Sequence, residues 1–225
     1  MRKLIYISLL AFAAAASAAA ATINFDNLDG STGDQVVPNG YGGLNWTNFN
    51  VYDAVSDPGG LSPSGYHDAI GGVQGWVSPN NVAFTAFPNQ FPTEIISSDT
   101  PFTLNSAYLT SVWRDNLNVQ VIGSLGGNTI YTETFTLSAT ANTLETFNMV
   151  GVDTVEFTPS GGTLHSGYAN DYGPYFAMDN VDVDLITEVP EPSTWFAAVL
   201  ALGAIGFSQR KRVRACASFA VKKHF

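Results

Sequence analysis

The chain has a single cysteine in 225 residues, Cys216, close to the C-terminus. A disulfide framework and a cysteine-ligated metal site are therefore excluded for everything before it. Histidine is almost as scarce. His67 and His165 stand far apart in the central segment, so no histidine-rich ligand cluster is written there. Basic residues are missing from the middle of the chain. Of 19 acidic and 9 basic residues, 18 acids but only one base, Arg114, fall between positions 22 and 188, leaving that segment at −17. The whole-chain value of −10 conceals this, because the other basic residues sit at the two ends. Such a segment repels nucleic acid and anionic membrane surfaces. Helical periodicity is also lacking between 22 and 188, where no window repeats its apolar residues every three to four positions.

What is present begins with two apolar ends. Met1-Arg2-Lys3 followed by Leu4 to Ala16, with small residues through Ala21, has the layout of a secretory signal peptide, assigned to 1–21. At the other end, Val189-Pro190-Glu191-Pro192-Ser193-Thr194 precedes an uncharged run from Trp195 to Phe207. Thirteen residues as a helix reach roughly 20 Å, short of the ~30 Å hydrocarbon core. Arg210, Lys211 and Arg212 follow it, and long basic side chains snorkel to the headgroups and stay on the cytoplasmic side. The prolines impose an extended approach to that helix.

Pro190, Glu191 and Pro192, the short apolar run and the basic cluster together resemble the PEP-CTERM sorting signal of bacterial surface proteins. The resemblance covers about a tenth of the chain, 189–214, and implies processing by an exosortase-type membrane enzyme. It also implies export across the inner membrane, a transient membrane anchor and a final place at the cell surface or outside the cell. Residues 215–225 extend beyond the basic cluster, where family members usually stop within a few positions.

The segment 22–188 suits one domain. Short runs of β-branched and aromatic residues alternate with Gly, Pro, Asn and Asp clusters, which is the pattern of strands and turns. The runs predict strands at Thr22–Phe25, Leu44–Tyr52, Gln74–Val77, Val82–Thr85, Glu94–Ser97, Phe102–Trp113, Asn118–Gly123, Thr129–Leu137, Leu144–Asn148, Thr154–Thr158 and Phe176–Leu185. Gly126-Gly127-Asn128 predicts a hairpin turn. The fold expected is all-β, a single jelly-roll-type sandwich. The opening Phe25-Asp26 and the closing Phe176-x-Met178-Asp179-Asn180-Val181 are similar to the edge strands of galactose-binding-like jelly rolls.

Strand alternation places Asp179 on one face with Val181, Val183 and Leu185. If that face is the core, its carboxylate must be paired, hydrogen-bonded or metal-bound. The jelly-roll resemblance implies a structural calcium between first and last strands, with Asp179 and Asp26 (or Asp29) as ligands. The other reading is a carboxylate that accepts backbone amides at a turn or bulge.

No nucleophile elbow, phosphate loop or metal-ligand doublet appears, and no two of the many carboxylates stand out as a glycosidase pair. The chain is expected not to be an enzyme. The function expected is that of an exported surface or extracellular-matrix component associated with exopolysaccharide. A carbohydrate-binding module is the first alternative, and a secreted glycan hydrolase the second. Sugars pack their C–H faces on aromatic rings and hydrogen-bond through their hydroxyls. Among the loop aromatics Tyr41, Tyr66, Trp76, Tyr168, Tyr172 and Tyr175, Trp76 and Tyr172 are the candidate platforms, and Arg114, the lone cation of 22–188, is the candidate contact for a carboxylated sugar.

Overall fold

The computed structural model describes residues 18–33, 35–67, 75–86, 90, 92–168, 170–186 and Leu200. Within Ala18–Ile186, one compact unit, the described residues form ten strands. They are β1 (Ala18–Ile23), β2 (Gln35–Val36), β3 (Asn45–Thr47), β4 (Phe49–Asp53), β5 (Asn81–Thr85), β6 (Glu94–Ser111), β7 (Arg114–Leu125), β8 (Asn128–Leu137), β9 (Thr143–Leu164) and β10 (Phe176–Ile186). All pairings are antiparallel, in the order β2-β4-β5-β10-β6-β9-β7-β8, with β1 added to β10 and β3 to β6. The fold is all-β, as the strand-and-turn pattern predicts. The proposed signal peptide up to Ser17, and the sorting residues Pro190, Glu191, Pro192, Arg210, Lys211 and Arg212, lie outside the described residues.

Hydrogen bonds join the ten strands into one sheet, but the sheet folds over on itself. The clearest sign is in β9. Phe147 and Phe157 are ten residues apart, a distance of roughly 33 Å along a straight strand. Their ring centroids nevertheless stand 6.0 Å apart. The strand turns back between them, at Asn148 (φ 50°) and Gly151 (φ 73°). β6 bends opposite this corner, where its register with β9 shifts between Ser97 and Phe102. Pro101 falls in that irregular stretch, where a missing N–H is tolerated. A third corner separates β3 from β4 at Asn48 (φ 63°), whose Nδ2 donates to the Thr93 carbonyl at 2.8 Å. There the chain leaves β6 and joins β5.

One core fills the fold. Val119, Val121, Val155, Phe157, Ile96 and Trp46 face Leu104, Phe147, Met149, Met178, Val181 and Val183 across it, and Phe49 packs edge-on against Phe157 and Phe176 at 6.2 Å. A second, smaller core lies on the outer face of β4, β5, β10 and β6. It joins Tyr52, Val82, Val112 and Ala177 to Tyr66, Trp113, Ala139 and Tyr168, with Trp76, Phe84 and Tyr175 partly buried against it.

Several boundaries differ from expectation. Gln74–Val77 is no strand: Gly75, Trp76 and Val77 lie in a loop, and Gln74 is outside the described residues. The runs at 94 and 102 are one strand, as are those at 144 and 154, because a bent strand keeps its ladder through the irregular residues between. The Leu44–Tyr52 run is two strands, split by Asn48. β2 is too short to carry an apolar pattern. β1 starts at Ala18, so the end of the stretch assigned to the signal peptide runs alongside Leu185 and Asp184 of β10. The hairpin turn forms as predicted, with Gly126 (φ 57°) and Gly127 (φ 77°) linking β7 to β8.

Candidate functional site

The second core opens into a cleft of about 210 Å³. Its walls come from three sources. The sheet supplies Tyr52 and Phe84, the bend between β6 and β7 supplies Trp113, and the covering loops supply Gly59, Leu61, Tyr66, Tyr172 and Tyr175, with Thr32 and Gly33 at one side. Strand alternation explains the first source: Val51 and Ala83 face the main core, so Tyr52 and Phe84 project outward. The aromatic rings interlock. Tyr66 sits 4.7 Å from Tyr52, 5.6 Å from Phe84 and 6.2 Å from Trp113, while Phe84 stacks with Tyr175 at 6.5 Å. Tyr172 meets Trp113 edge-on at 5.2 Å and is half exposed, so the rim of the cleft is an accessible ring.

Three of the phenols, Tyr52, Tyr66 and Tyr175, are held as neutral groups. The Tyr52 hydroxyl donates to Asp57, and burial followed by that hydrogen bond pushes its pKa far up. Burial likewise raises Tyr66 and Tyr175. On Asp57, burial opposes ionisation, but bonds from Tyr52, Leu61 N at 2.9 Å and Ser62 N at 3.0 Å outweigh it and lower its pKa. The Trp113 Nε1 and Thr110 Oγ1 atoms are buried without a hydrogen-bond partner.

Of the three residues expected to bind a ligand, only Tyr172 lines the cleft. Trp76 packs against the second core instead, with its carbonyl accepting from Asn142 Nδ2 at 3.3 Å. Arg114 is engaged by the protein itself. Its Nε and Nη2 grip the two carboxylate oxygens of Asp171 at 2.8 and 3.1 Å, and Nη1 donates to the Gly161 carbonyl at 3.1 Å. That contact holds Asp171 below the usual carboxylate range. Sequence reasoning singled out Tyr66 and Tyr175 as loop aromatics but had no signal for Tyr52 and Phe84. An aromatic in a strand reads as core, and which face is covered depends on loops folded elsewhere.

Asp179 differs from its expected place. It is fully buried, but not on the face of Val181 and Val183. The ladder with β6 shifts between Asp179 and Asp182, and Asn180 takes φ 47°. This bulge exchanges the faces: Phe176 and Met178 point inward before it, Val181 and Val183 after it. Asp179 therefore points outward with Ala177, beneath the loop at 77–78. Its Oδ2 accepts Val77 N at 2.7 Å and Ser78 N at 2.9 Å, and its Oδ1 accepts Asn180 N at 2.7 Å and Ser78 Oγ at 3.3 Å. Burial raises its pKa, and the three amides partly offset that rise. Asp26 Oδ1 accepts Asn81 N at 3.2 Å. These surroundings are donors, which suit the reading of a hydrogen-bonded carboxylate. Among the described residues no three His, Cys, Asp or Glu side chains converge as a metal site.

Fold and site together define an all-β domain with an aromatic cleft on the outer face of its sheet. No protein-family model matches the chain, and no curated protein matches it by sequence. Among solved structures it is similar to a DUF4465 family protein from Bacteroides ovatus ATCC 8483, at 9% identity and TM-score 0.37, over 61% of this chain and 72% of that one. A DUF4465 family protein from Bacteroides caccae ATCC 43185 aligns at 13% identity and TM-score 0.38, over 73% and 98%. TmCBM61, solved in complex with beta-1,4-galactotriose, aligns at 9% identity and TM-score 0.31, over 71% and 97%.

Proposed function

We propose that this chain is an exported, non-catalytic surface protein whose folded sheet, a sandwich of jelly-roll type, holds a carbohydrate in the aromatic cleft. The observation that carries the reading is the cleft itself: four tyrosines, Trp113 and Phe84 around about 210 Å³, with Tyr172 open at the rim. Drug-sized sites run to about 300–1,000 Å³, so this cleft suits one sugar ring of a polysaccharide. Ring faces accept the apolar side of a pyranose, and phenols supply neutral hydrogen bonds to its hydroxyls. Among the described residues, none that lines the cleft is Asp, Glu, His or Cys, which supports binding without hydrolysis.

Retardation of the protein in gels containing soluble polysaccharide tests this. Tyr172→Ala should weaken retention by about tenfold, the loss of roughly 1.4 kcal/mol. Retention that survives Tyr172→Ala unchanged would place binding elsewhere.

The sorting role rests on the sequence of 189–214. In this reading an exosortase-type enzyme recognises Pro190-Glu191-Pro192, with Arg210, Lys211 and Arg212 holding the anchor at the cytoplasmic side. Deleting residues 189–225 should release the exported domain into the medium, as read by fractionation. Retention of the truncated protein in the membrane fraction would sink the sorting role.

A further inference from the structure

We infer that the cleft selects an uncharged sugar, and that Arg114 serves it as a clamp on Tyr172 and not as a ligand contact. This rests on the carbohydrate reading above and narrows it to a ligand class.

Charge is the first argument. Among the described residues, none that lines the cleft is charged. The central segment carries −17 with Arg114 as its single Lys or Arg. The guanidinium is bound in a fork to Asp171, so the pair presents no net charge to a ligand. Asp57 stands behind Tyr52, adding a carboxylate near the cleft. A uronate ring would meet phenols with the Asp57 carboxylate behind them and, among the described residues, no free cation to receive its carboxylate.

The geometry of the clamp is the second argument. Two consecutive residues on one segment meet two consecutive residues on another: Trp113 touches the Tyr172 ring, and Arg114 grips Asp171. The Asp171 carboxylate also accepts Gly173 N at 3.1 Å, which fixes the turn carrying Tyr172. Next along β7, Asp115 holds His165 Nδ1 at 2.6 Å, and Tyr168 donates to the Ala139 carbonyl at 2.6 Å. The segment is thus tied down at His165, Tyr168 and Asp171, and the exposed ring follows directly on the last of these ties. Arg114 is a positioning residue.

The test uses gels containing either soluble β-1,4-galactan or polygalacturonate, a neutral polymer and a carboxylated one, with the full chain at about 50 and about 500 mM salt. Galactan should retard the protein equally at both salt levels, and polygalacturonate should not retard it. Arg114→Gln should weaken galactan retention by about tenfold, and Arg114→Lys should not restore it, because an ammonium cannot form the two-pronged contact. Asp171→Asn, which leaves the guanidinium without its carboxylate, should introduce salt-sensitive retention by polygalacturonate. Circular dichroism spectra matching the parent protein qualify each variant as folded. Retardation by polygalacturonate that is relieved by salt and lost in Tyr172→Ala would overturn the uncharged ligand while leaving the carbohydrate cleft standing. No retardation by either polymer would overturn both.

Discussion

Glu94 opens β6 on the inner face, opposite Phe157, and is fully buried. Among the described residues no other residue donates to either carboxylate oxygen, and burial, opposed only by Glu94's own backbone amide, raises its pKa from an ordinary 4.5 to about 9. The folded protein therefore keeps this proton at neutral pH, while the unfolded chain loses it. A raised folded-state pKa contributes stability that is complete below about pH 4.5 and lost as pH climbs toward 9. Between those limits the group alone removes about 1.4 kcal/mol per pH unit. Melting temperature should fall from pH 5 to 9, and Glu94→Gln, which cannot ionise, should flatten the decline. Parallel profiles for the two proteins would show that Glu94 is not the group responsible. The sequence marks Glu94 only as the first residue of a strand; its burial follows from a register and a fold-over that no local pattern records.

At the scale of elements, the loop over the outer face depends on close backbone approach. Gly65 N donates to the Val112 carbonyl at 2.8 Å, and a Cβ at Gly65 would stand 2.0 Å from the Ser111 carbonyl oxygen. Backbone cannot yield as a side chain can, so Gly65→Ala must lift the loop off β6. Overpacking of this kind costs about 1–3 kcal/mol or more, a fall of roughly 2–4 °C in Tm per kcal/mol for a domain this size. The variant should also lose the near-ultraviolet signal of Tyr66 and Trp113, since the second core loses its cover. An unchanged near-ultraviolet spectrum would show that the loop tolerates the methyl group. Regular elements were legible in advance: Leu117, Val119 and Val121 alternate with exposed Asn118 and Gln120, and β7 follows that alternation. Asp179 was not, because a bulge at Asn180 reverses the two faces and bulges leave no periodic trace.

At the scale of the whole molecule, charge and metal are linked. A segment at −17 repels itself, and divalent cations relieve such repulsion whether or not they occupy a specific site. Calcium and magnesium should therefore raise the melting temperature of the full chain by similar amounts. Asp179→Ala should lower it in either salt and leave the cation shift intact, because the loop at 77–78 loses the carboxylate that its amides share. A shift specific to calcium and abolished by Asp179→Ala would instead establish the calcium ligand that the jelly-roll resemblance implies.

Composition and pattern alone determined the all-β class, the acidic centre, the lack of disulfides and the Gly126-Gly127 hairpin. Each is a local property: alternation, turn chemistry and charge act between residues close in the chain. Tertiary structure decided the fold-over of β9, the outward turn of Asp179, the pairing of Arg114 with Asp171 and the assembly of the cleft. The rings of that cleft come from positions 52 to 175 and meet only because loops close over one face of the sheet. Contacts between residues so distant in sequence depend on registers and bends, and neither has a signature in any single stretch of the chain.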